Sequence, residues 1–255
     1  MEERGATAVG ELLDLSGEQV LVTGASGNIG RAIAARLAEA GATIVAHYHH
    51  NEAAAKSLVA ALGSGRTVAA DLTDEESIVE MLGSSDITML VNNAAVQTVQ
   101  PLADMSFADW RLVMAANLDG AFLLTQVMAR AWIAAGRGGA IVNIGSIEGL
   151  DPAEGHAHYA TSKAGLSMFS RAAALEFGKA GIRVNTVSPG LIDRDGLSEE
   201  WPEGVSRWLD RAPLGRVGTP NDVADAVLFL LSPAARWISG ANLVVDGGMS
   251  ALGKW

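Results

Sequence analysis

The sequence predicts an α/β fold, a doubly wound and mostly parallel sheet of seven strands flanked by helices. Three observations carry this. Short β-branched runs recur along the chain and are nearly all apolar rather than alternating, as strands buried on both faces of a parallel sheet must be. Longer segments with apolar residues at helical spacing separate them. The first junction between the two, Thr23-Gly24-Ala25-Ser26-Gly27-Asn28-Ile29-Gly30, is rich in glycine.

Taken in order, strands are predicted at 19–23, 43–48, 67–71, 89–93, 140–146, 183–188 and 242–246. Helices are predicted at 31–40, 52–62, 74–82, 107–135, 159–178 and 221–231, with Asp74 and Asn221 standing where N-caps belong. Strand–helix alternation on this scale implies right-handed crossovers. Residues 1–16 read as a flexible polar lead, and 17–255 as one domain, which the length of 255 residues suits.

Composition narrows the function. A hydrophobic share of 49% leaves ample material for a large core. The formal net charge of -11 argues against nucleic acid or an anionic membrane as partner, since both select basic patches. With no cysteine there are no disulfides or thiolate metal sites, and none of the histidines has metal-ligand spacing, so no metal is expected. Met1-Glu2-Glu3-Arg4 does not open a signal peptide, and no apolar stretch reaches the roughly 20 residues of a membrane helix. A soluble cytoplasmic protein is the expectation.

The glycine-rich junction is the arrangement that brings a pyrophosphate onto a helix N-terminus. Bare backbone permits tight turning and close approach, and exposed N–H groups meet the anion. An ordinary strand–helix turn is the competing account. A discriminating residue should then follow about 20 positions on, at the end of the second strand. That strand ends Ala46-His47-Tyr48-His49-His50-Asn51, without the carboxylate that would hold a free ribose 2′-hydroxyl and repel a 2′-phosphate. Imidazoles and an amide can donate to a phosphate, which favours NADP(H), with NAD(H) as the alternative.

The chain holds two tyrosines, and one of them, Tyr159, precedes Lys163 by one helical turn. A phenol of pKa near 10 is a poor base at neutral pH. A cation held close favours the phenolate, so Tyr159 could exchange a proton with an alcohol or carbonyl oxygen. Ser146 ends the predicted fifth strand, where open sheets of this kind collect ligand groups. Its hydroxyl either caps a loop or steadies developing charge on a substrate oxygen. Asn117 interrupts an apolar helical face, and a buried amide there must find partners. Glu148 and His156 flank the serine and tyrosine as candidate polar groups of a pocket. His158 points elsewhere on its helix. Trp201, Val205, Trp208 and Leu209 lie in a stretch that either lids a pocket or packs on the core.

Together these residues resemble the short-chain dehydrogenases/reductases. The likeness rests on Thr23-Gly24…Gly30, Asn92-Asn93-Ala94, Asn117, Ser146, Tyr159-x-x-x-Lys163, Ser188-Pro189-Gly190 and Asp246-Gly247-Gly248, in the family's order and spacing from about Leu15 onward. It implies a Rossmann-type fold and interconversion of a carbonyl and a secondary alcohol by hydride transfer. Tyr159 would be the general acid/base, Lys163 would lower its pKa and hold the nicotinamide ribose, Ser146 would orient the substrate oxygen, and Asn117 would hold a relay water. Cofactor contacts would come from Gly24, Ser26, Asn28, Ile29, Gly30, Tyr48, His49, His50, Asn51, Asp71, Leu72, Asn93, Ala94, Lys163, Pro189, Gly190 and Ile192. Asp71 and Leu72 would border the adenine. A homotetramer acting on a small carbonyl compound is implied as well.

Two positions depart from the family pattern. Asn28 replaces the middle glycine, either by tolerating positive φ or by adding an amide donor beside the phosphates. Arg194 stands where a threonine commonly holds the carboxamide, and it would either pair with Asp193 or Asp195 or meet the cofactor or an anionic substrate. Pteridine reductases also lack the middle glycine, but they carry an acid where Ser146 stands. Other readings are an NAD-dependent sugar or polyol dehydrogenase, a 3-oxoacyl-thioester reductase, and a dinucleotide-sensing binding protein without enzymatic activity.

Overall fold

The computed structural model describes residues 7–83 and 86–252. Seven strands form one sheet: β1 (Gln19–Val22), β2 (Thr43–Tyr48), β3 (Arg66–Ala69), β4 (Met89–Asn92), β5 (Gly139–Ile144), β6 (Ile182–Pro189) and β7 (Asn242–Val245). Their spatial order is β3-β2-β1-β4-β5-β6-β7. Every neighbouring pair is parallel, with Val20 level with Ile44 on one side and Met89 on the other. The chain therefore winds outward from β1 in one direction, returns, and winds out in the other from β4. The crevice where the order reverses lies at the carboxyl ends of β1 and β4, the place open α/β sheets offer a ligand.

The connecting helices are α1 (Asn28–Glu39), α2 (Glu52–Leu62), α3 (Glu75–Leu82), α4 (Phe107–Met114), α5 (Gly120–Ala134), α6 (Ala157–Phe177), α7 (Leu197–Glu200), α8 (Pro202–Arg211) and α9 (Pro220–Leu231). Side chains alternate across each strand. Val20 and Val22 enter a core built with Ile33 and Leu37 of α1 and Val223 and Val227 of α9, whereas Leu21 joins Ile78 of α3 and Leu124, Met128 and Trp132 of α5 on the other face. Both faces are covered, which explains the near-continuous apolar strands.

Several local expectations are corrected. The predicted helix at 31–40 starts earlier, at Asn28, because the glycine turn is shorter than it reads. The predicted helix at 107–135 is two helices joined by a π turn, Ala115–Asp119. Thr219 rather than Asn221 caps α9. Pro220 takes the first helical position, where its missing N–H costs nothing, and Asp222 completes a capping box. Of the lead at 1–16, residues 1–6 lie outside the described residues. The remainder is not a loose tail: Leu15 is buried in the core, its N–H donates to the Ala40 carbonyl at 2.8 Å, and the Leu12 carbonyl accepts from Ala234. The helical stretch 107–134 is long and apolar enough, by length and composition, to cross a bilayer. It contributes Val113, Leu124, Met128 and Trp132 to the buried core, and the core helix of a globular domain passes the same test.

Candidate active site

The glycine turn is held from beneath. Thr23, buried at the end of β1, accepts hydrogen bonds on its hydroxyl from the N–H of Asn93 (2.8 Å) and of Ala94 (2.9 Å). The Asn93 amide donates back to the Thr23 carbonyl at 2.9 Å. Gly24 has φ +60°, and a Cβ there would stand 3.1 Å from the Ala94 Cα. A Cβ on Gly30 would strike the Gly24 carbonyl. Ser26 sits half-buried in the turn, and Ile29 packs on the core beside α1. The role of Thr23 was not foreseen; a hydroxyl at a strand end directly before the glycine was the available signal.

Asn28 behaves differently from either expectation. No residue other than glycine has positive φ among the described residues, and Asn28 opens α1 with helical geometry. Its amide nitrogen donates to the Asp193 carbonyl at 2.7 Å. The side chain thus bridges the glycine turn and the loop that follows β6, and that N–H is engaged there rather than with an anion.

At the end of β2 the imidazoles divide. His47 is buried: its Nδ1 accepts from the Gly24 N–H at 3.2 Å and its Nε2 lies 3.1 Å from the Ala70 carbonyl. Burial pushes its pKa below the usual histidine value, and the ring braces β1 against β3 as a neutral group. It cannot meet a phosphate. His49 and His50 are exposed and stacked, ring centroids 3.6 Å apart, with His49 Nε2 3.9 Å from an Asp71 carboxylate oxygen. Asn51 caps α2 by accepting from the Ala54 N–H. Tyr48 is half-buried beside Glu52, whose carboxylate is paired with Lys56 at 2.7 Å. Asp71 accepts from the N–H and hydroxyl of Thr73, and Leu72 is buried against Gly120.

The third cluster is built from β5 and α6. Ser146 follows β5 in extended conformation and caps the next turn, Ile147–Gly149, by accepting from the Glu148 N–H at 3.1 Å. The same side chain is hydrogen-bonded with the Tyr159 phenol. The capping alternative for this residue is met in geometry, and its hydroxyl also stands beside the phenol. Lys163, one turn along α6 from Tyr159, is buried, and its Nζ donates to the Ile144 carbonyl at 2.8 Å. The ammonium lies 5.6 Å from the Tyr159 ring centroid.

The expected lowering of the phenol pKa is overturned. Burial pushes Tyr159 up to about 12, the Ser146 hydrogen bond pulls down, and the charge of Glu148 pushes up again. Burial likewise lowers Lys163 to about 8. Loss of water is the largest effect on each group.

Asn117 sits in the π turn with both ends of its side chain engaged: Oδ1 accepts from the Val96 N–H at 2.7 Å, and Nδ2 donates to the Val96 carbonyl at 2.9 Å and to the Ser162 hydroxyl at 3.2 Å. Ser162 in turn donates to the Tyr159 carbonyl at 2.7 Å. The amide ties the stretch after β4 to α6 and leaves little for a water; single π turns of this kind are frequent at functional sites. His158 is buried, with Nε2 2.8 Å from the Thr98 hydroxyl, and points away from the phenol's neighbours.

Beyond β6, Pro189 is buried and Gly190 is required, since a Cβ would meet Trp208 at 2.7 Å and Asp246 at 2.8 Å. Ile192 pairs with Gly218 and rests on the core. Arg194 forms its salt bridge with Glu200, not with the Asp193 or Asp195 carboxylate, because the turn into α7 folds Glu200 back over it, and its Nη1 donates to the Asp195 carbonyl at 3.1 Å. Trp208 covers Gly190 and donates to the Arg216 carbonyl at 3.2 Å, while Trp201 lies over Gly204 and remains half exposed. A cavity of about 560 Å³ opens beside this segment, lined by Leu191, Leu214, Arg216, Asp222 and Asp246, and it does not include Ser146, Tyr159 or Lys163.

A glycine turn at the switch point of a parallel sheet, with a hydroxyl, a phenol and an ammonium on the adjoining strand and helix, defines an oxidoreductase of the nicotinamide-dependent class. The chain belongs to the short-chain dehydrogenase/reductase family. The family model described as enoyl-(acyl carrier protein) reductase matches residues 24–250. The chain is 37% identical over 243 residues to the 3-oxoacyl-(acyl-carrier-protein) reductase of Vibrio cholerae, covering 93% of this chain and 99% of that one. It is 36% identical over 245 residues to the L-tagatose-forming galactitol 2-dehydrogenase of Cereibacter sphaeroides, covering 92% and 95%. Among solved structures, a gluconate 5-dehydrogenase from Burkholderia cenocepacia in complex with NADP and tartrate superposes with a TM-score of 0.89 at 30% identity, covering 95% of this chain and 99% of that one. A short-chain type dehydrogenase/reductase from Mycobacterium marinum gives 0.88 at 33% identity, covering 96% and 100%.

This protein is accordingly an enzyme that interconverts alcohol and carbonyl groups with a nicotinamide dinucleotide. The turn itself requires glycine at both positions, because a Cβ would meet Ala94 at Gly24 and the Gly24 carbonyl at Gly30, so the backbone stays bare beside the crevice.

Proposed function

We propose that the enzyme prefers NADP(H), acts on a small carbonyl compound or its alcohol, and uses Tyr159 as the group that gives or takes the proton. The observation that carries this is the junction of Ser146, Tyr159 and buried Lys163 at the carboxyl end of β5, next to the crevice. When bound, the nicotinamide supplies or accepts the hydride. The backbone of Gly24, Ser26, Asn28, Ile29 and Gly30 at the start of α1 would hold its pyrophosphate, with Asn93 and Ala94 on one flank and Pro189, Gly190 and Ile192 on the other. Ser146 donates to the substrate oxygen. Burial keeps Tyr159 protonated, the form that donates to a carbonyl oxygen during reduction. Lys163 lies within reach of a ribose beside that phenol. Asn117 acts through position, by fixing α6 and the chain after β4.

The preference for NADP(H) is supported by the exposed His49–His50 pair and by the absence of a carboxylate from residues 49–51. Glu52, the next acid along, is neutralised by Lys56. Assembly into a homotetramer is supported by exposed apolar side chains on α4, α5 and α6: Phe107, Phe122, Met168 and Leu175.

Replacing Tyr159 with Phe tests the central assignment. Turnover of any accepted ketone should fall by about 10²–10⁴-fold, the usual worth of a positioned proton donor, while NADPH still quenches the protein fluorescence. Turnover at the wild-type rate would refute the assignment. For the cofactor, His49→Asp with His50→Asp should weaken NADPH at least tenfold more than NADH, read as dissociation constants; equal losses would remove the argument for a 2′-phosphate contact.

A further inference from the structure

Three polar side chains outside the proposed proton and cofactor roles converge beside Tyr159. Glu148 arrives two residues after Ser146, on the turn that Ser146 caps. His156 stands at the N-cap of α6, and its ring meets the Tyr159 ring edge-on at 6.2 Å. Gln97 comes from the chain after β4, adjacent to Val96, whose backbone Asn117 grips. The three touch: His156 Nδ1 lies 2.7 Å from Glu148 Oε2, and Gln97 Nε2 donates to Glu148 Oε1 at 3.4 Å. Side-chain exposures of 19% for Glu148 and 15% for His156 leave them accessible without being surface groups.

We propose that Glu148, His156 and Gln97 form the specificity-determining wall of the carbonyl site and read a hydroxyl on the carbon next to the reacting one, so that the substrates are neutral polyhydroxylated ketones and alcohols. The inference rests on Tyr159 being the proton-transfer group.

An ionised carboxylate offers about four acceptor sites, and one short and one long hydrogen bond leave capacity for a substrate O–H. The placement suits a hydroxyl beside the carbonyl, because His156, 2.7 Å from the carboxylate, sets its ring edge-on to the Tyr159 ring at 6.2 Å. Such a wall discriminates strongly. A substrate lacking the hydroxyl would strip water from the carboxylate and return no hydrogen bond, and sites built to pair a hydroxyl reject its deoxy analogue far better than apolar pockets reject an extra methylene. The same carboxylate repels an anionic substrate. Arg194 and Arg216, which could have met such an anion, are paired with Glu200 and Asp222. The competing account is that the Glu148–His156 pair merely staples the Ile147–Gly149 turn to the start of α6.

The test is a kinetic panel with NADPH and NADH on L-erythrulose and L-xylulose, on 2-butanone and 2-pentanone, and on acetoacetyl-N-acetylcysteamine. The expected result is a kcat/KM at least 100-fold higher for the ketoses than for the alkanones of equal length. Glu148→Gln, and separately the exposed and fold-neutral Gln97→Ala, should each shrink that ratio at least tenfold, chiefly through a higher KM for the ketose. NADPH quenching reports that each variant is folded. A wild-type ratio near one, a preference for the thioester, or equal losses on ketose and alkanone in Glu148→Gln would overturn the wall and leave Tyr159 as assigned. Reduction of the alkanones or thioester that Tyr159→Phe abolishes identifies that case. Turnover of all three classes at the wild-type rate in Tyr159→Phe would overturn the parent reading, and the wall with it.

Discussion

Tyr159 and Lys163 show how burial and pairing compete at one site. Both groups are driven toward their neutral forms, the phenol up to about 12 and the ammonium down to about 8, because water has been taken from each. Lys163 spans the gap only to the Ile144 carbonyl. A pH dependence follows. Reduction needs a protonated phenol, which persists throughout the neutral range, so kcat/KM for a ketone should stay level and then fall as pH rises through about 8 and Lys163 loses its charge. Alcohol oxidation needs the phenol deprotonated and should keep rising into alkaline solution. Rate profiles in both directions check this, and a reductive rate that climbs between about pH 7 and 9 would contradict it. At this scale the sequence was most legible where chemistry demands rare types: a tyrosine, a lysine one turn on, and a serine at a strand end. It was least legible where a partner comes from across a loop: Glu148 and His156 were read as pocket groups, but Gln97, which meets Glu148, was not. His47 was grouped with exposed imidazoles, although the strand period places it beside Ala46 and inside the sheet while His49 and His50 fall beyond the strand.

At the scale of elements, caps and breaks escaped the pattern more often than the elements themselves. Asn117 interrupts the apolar spacing through 107–135, but an amide on that face asks only for partners and does not announce a π turn. That turn depends on Val96 capturing the Asn117 amide from another part of the chain. Asn221 has a good capping side chain, but Pro220 needs the first helical position and hands the cap to Thr219. Thr219→Ala would remove the box and should cost about 1 kcal/mol, seen as a lower denaturation midpoint at unchanged slope, whereas Asn221→Ala should cost under about half of that. Equal costs would place the cap elsewhere.

For the whole molecule, the seven parallel strands were readable because burial on both faces leaves strands no polar side, whereas their order in the sheet depends on which strands pair, which periodicity does not encode. Assembly is a matter of surfaces, and a single chain's periodicity does not separate a face that meets the sheet from one that meets another copy. Met168 is 59% exposed and Leu175 84% exposed on α6, the helix that also carries Tyr159. Light scattering on the eluting protein should give the mass of four chains, and Met168→Glu with Leu175→Glu should yield a smaller species; a monomeric wild type would dispose of the tetramer.

The link from Asn28 to the Asp193 carbonyl has a consequence of its own. It strings a thread across the mouth of the crevice, from the glycine turn to the segment leading into α7 and α8. The glycine turn and the loop after β6 are thereby joined by a side chain, at the position where the family pattern has a glycine with none to tie.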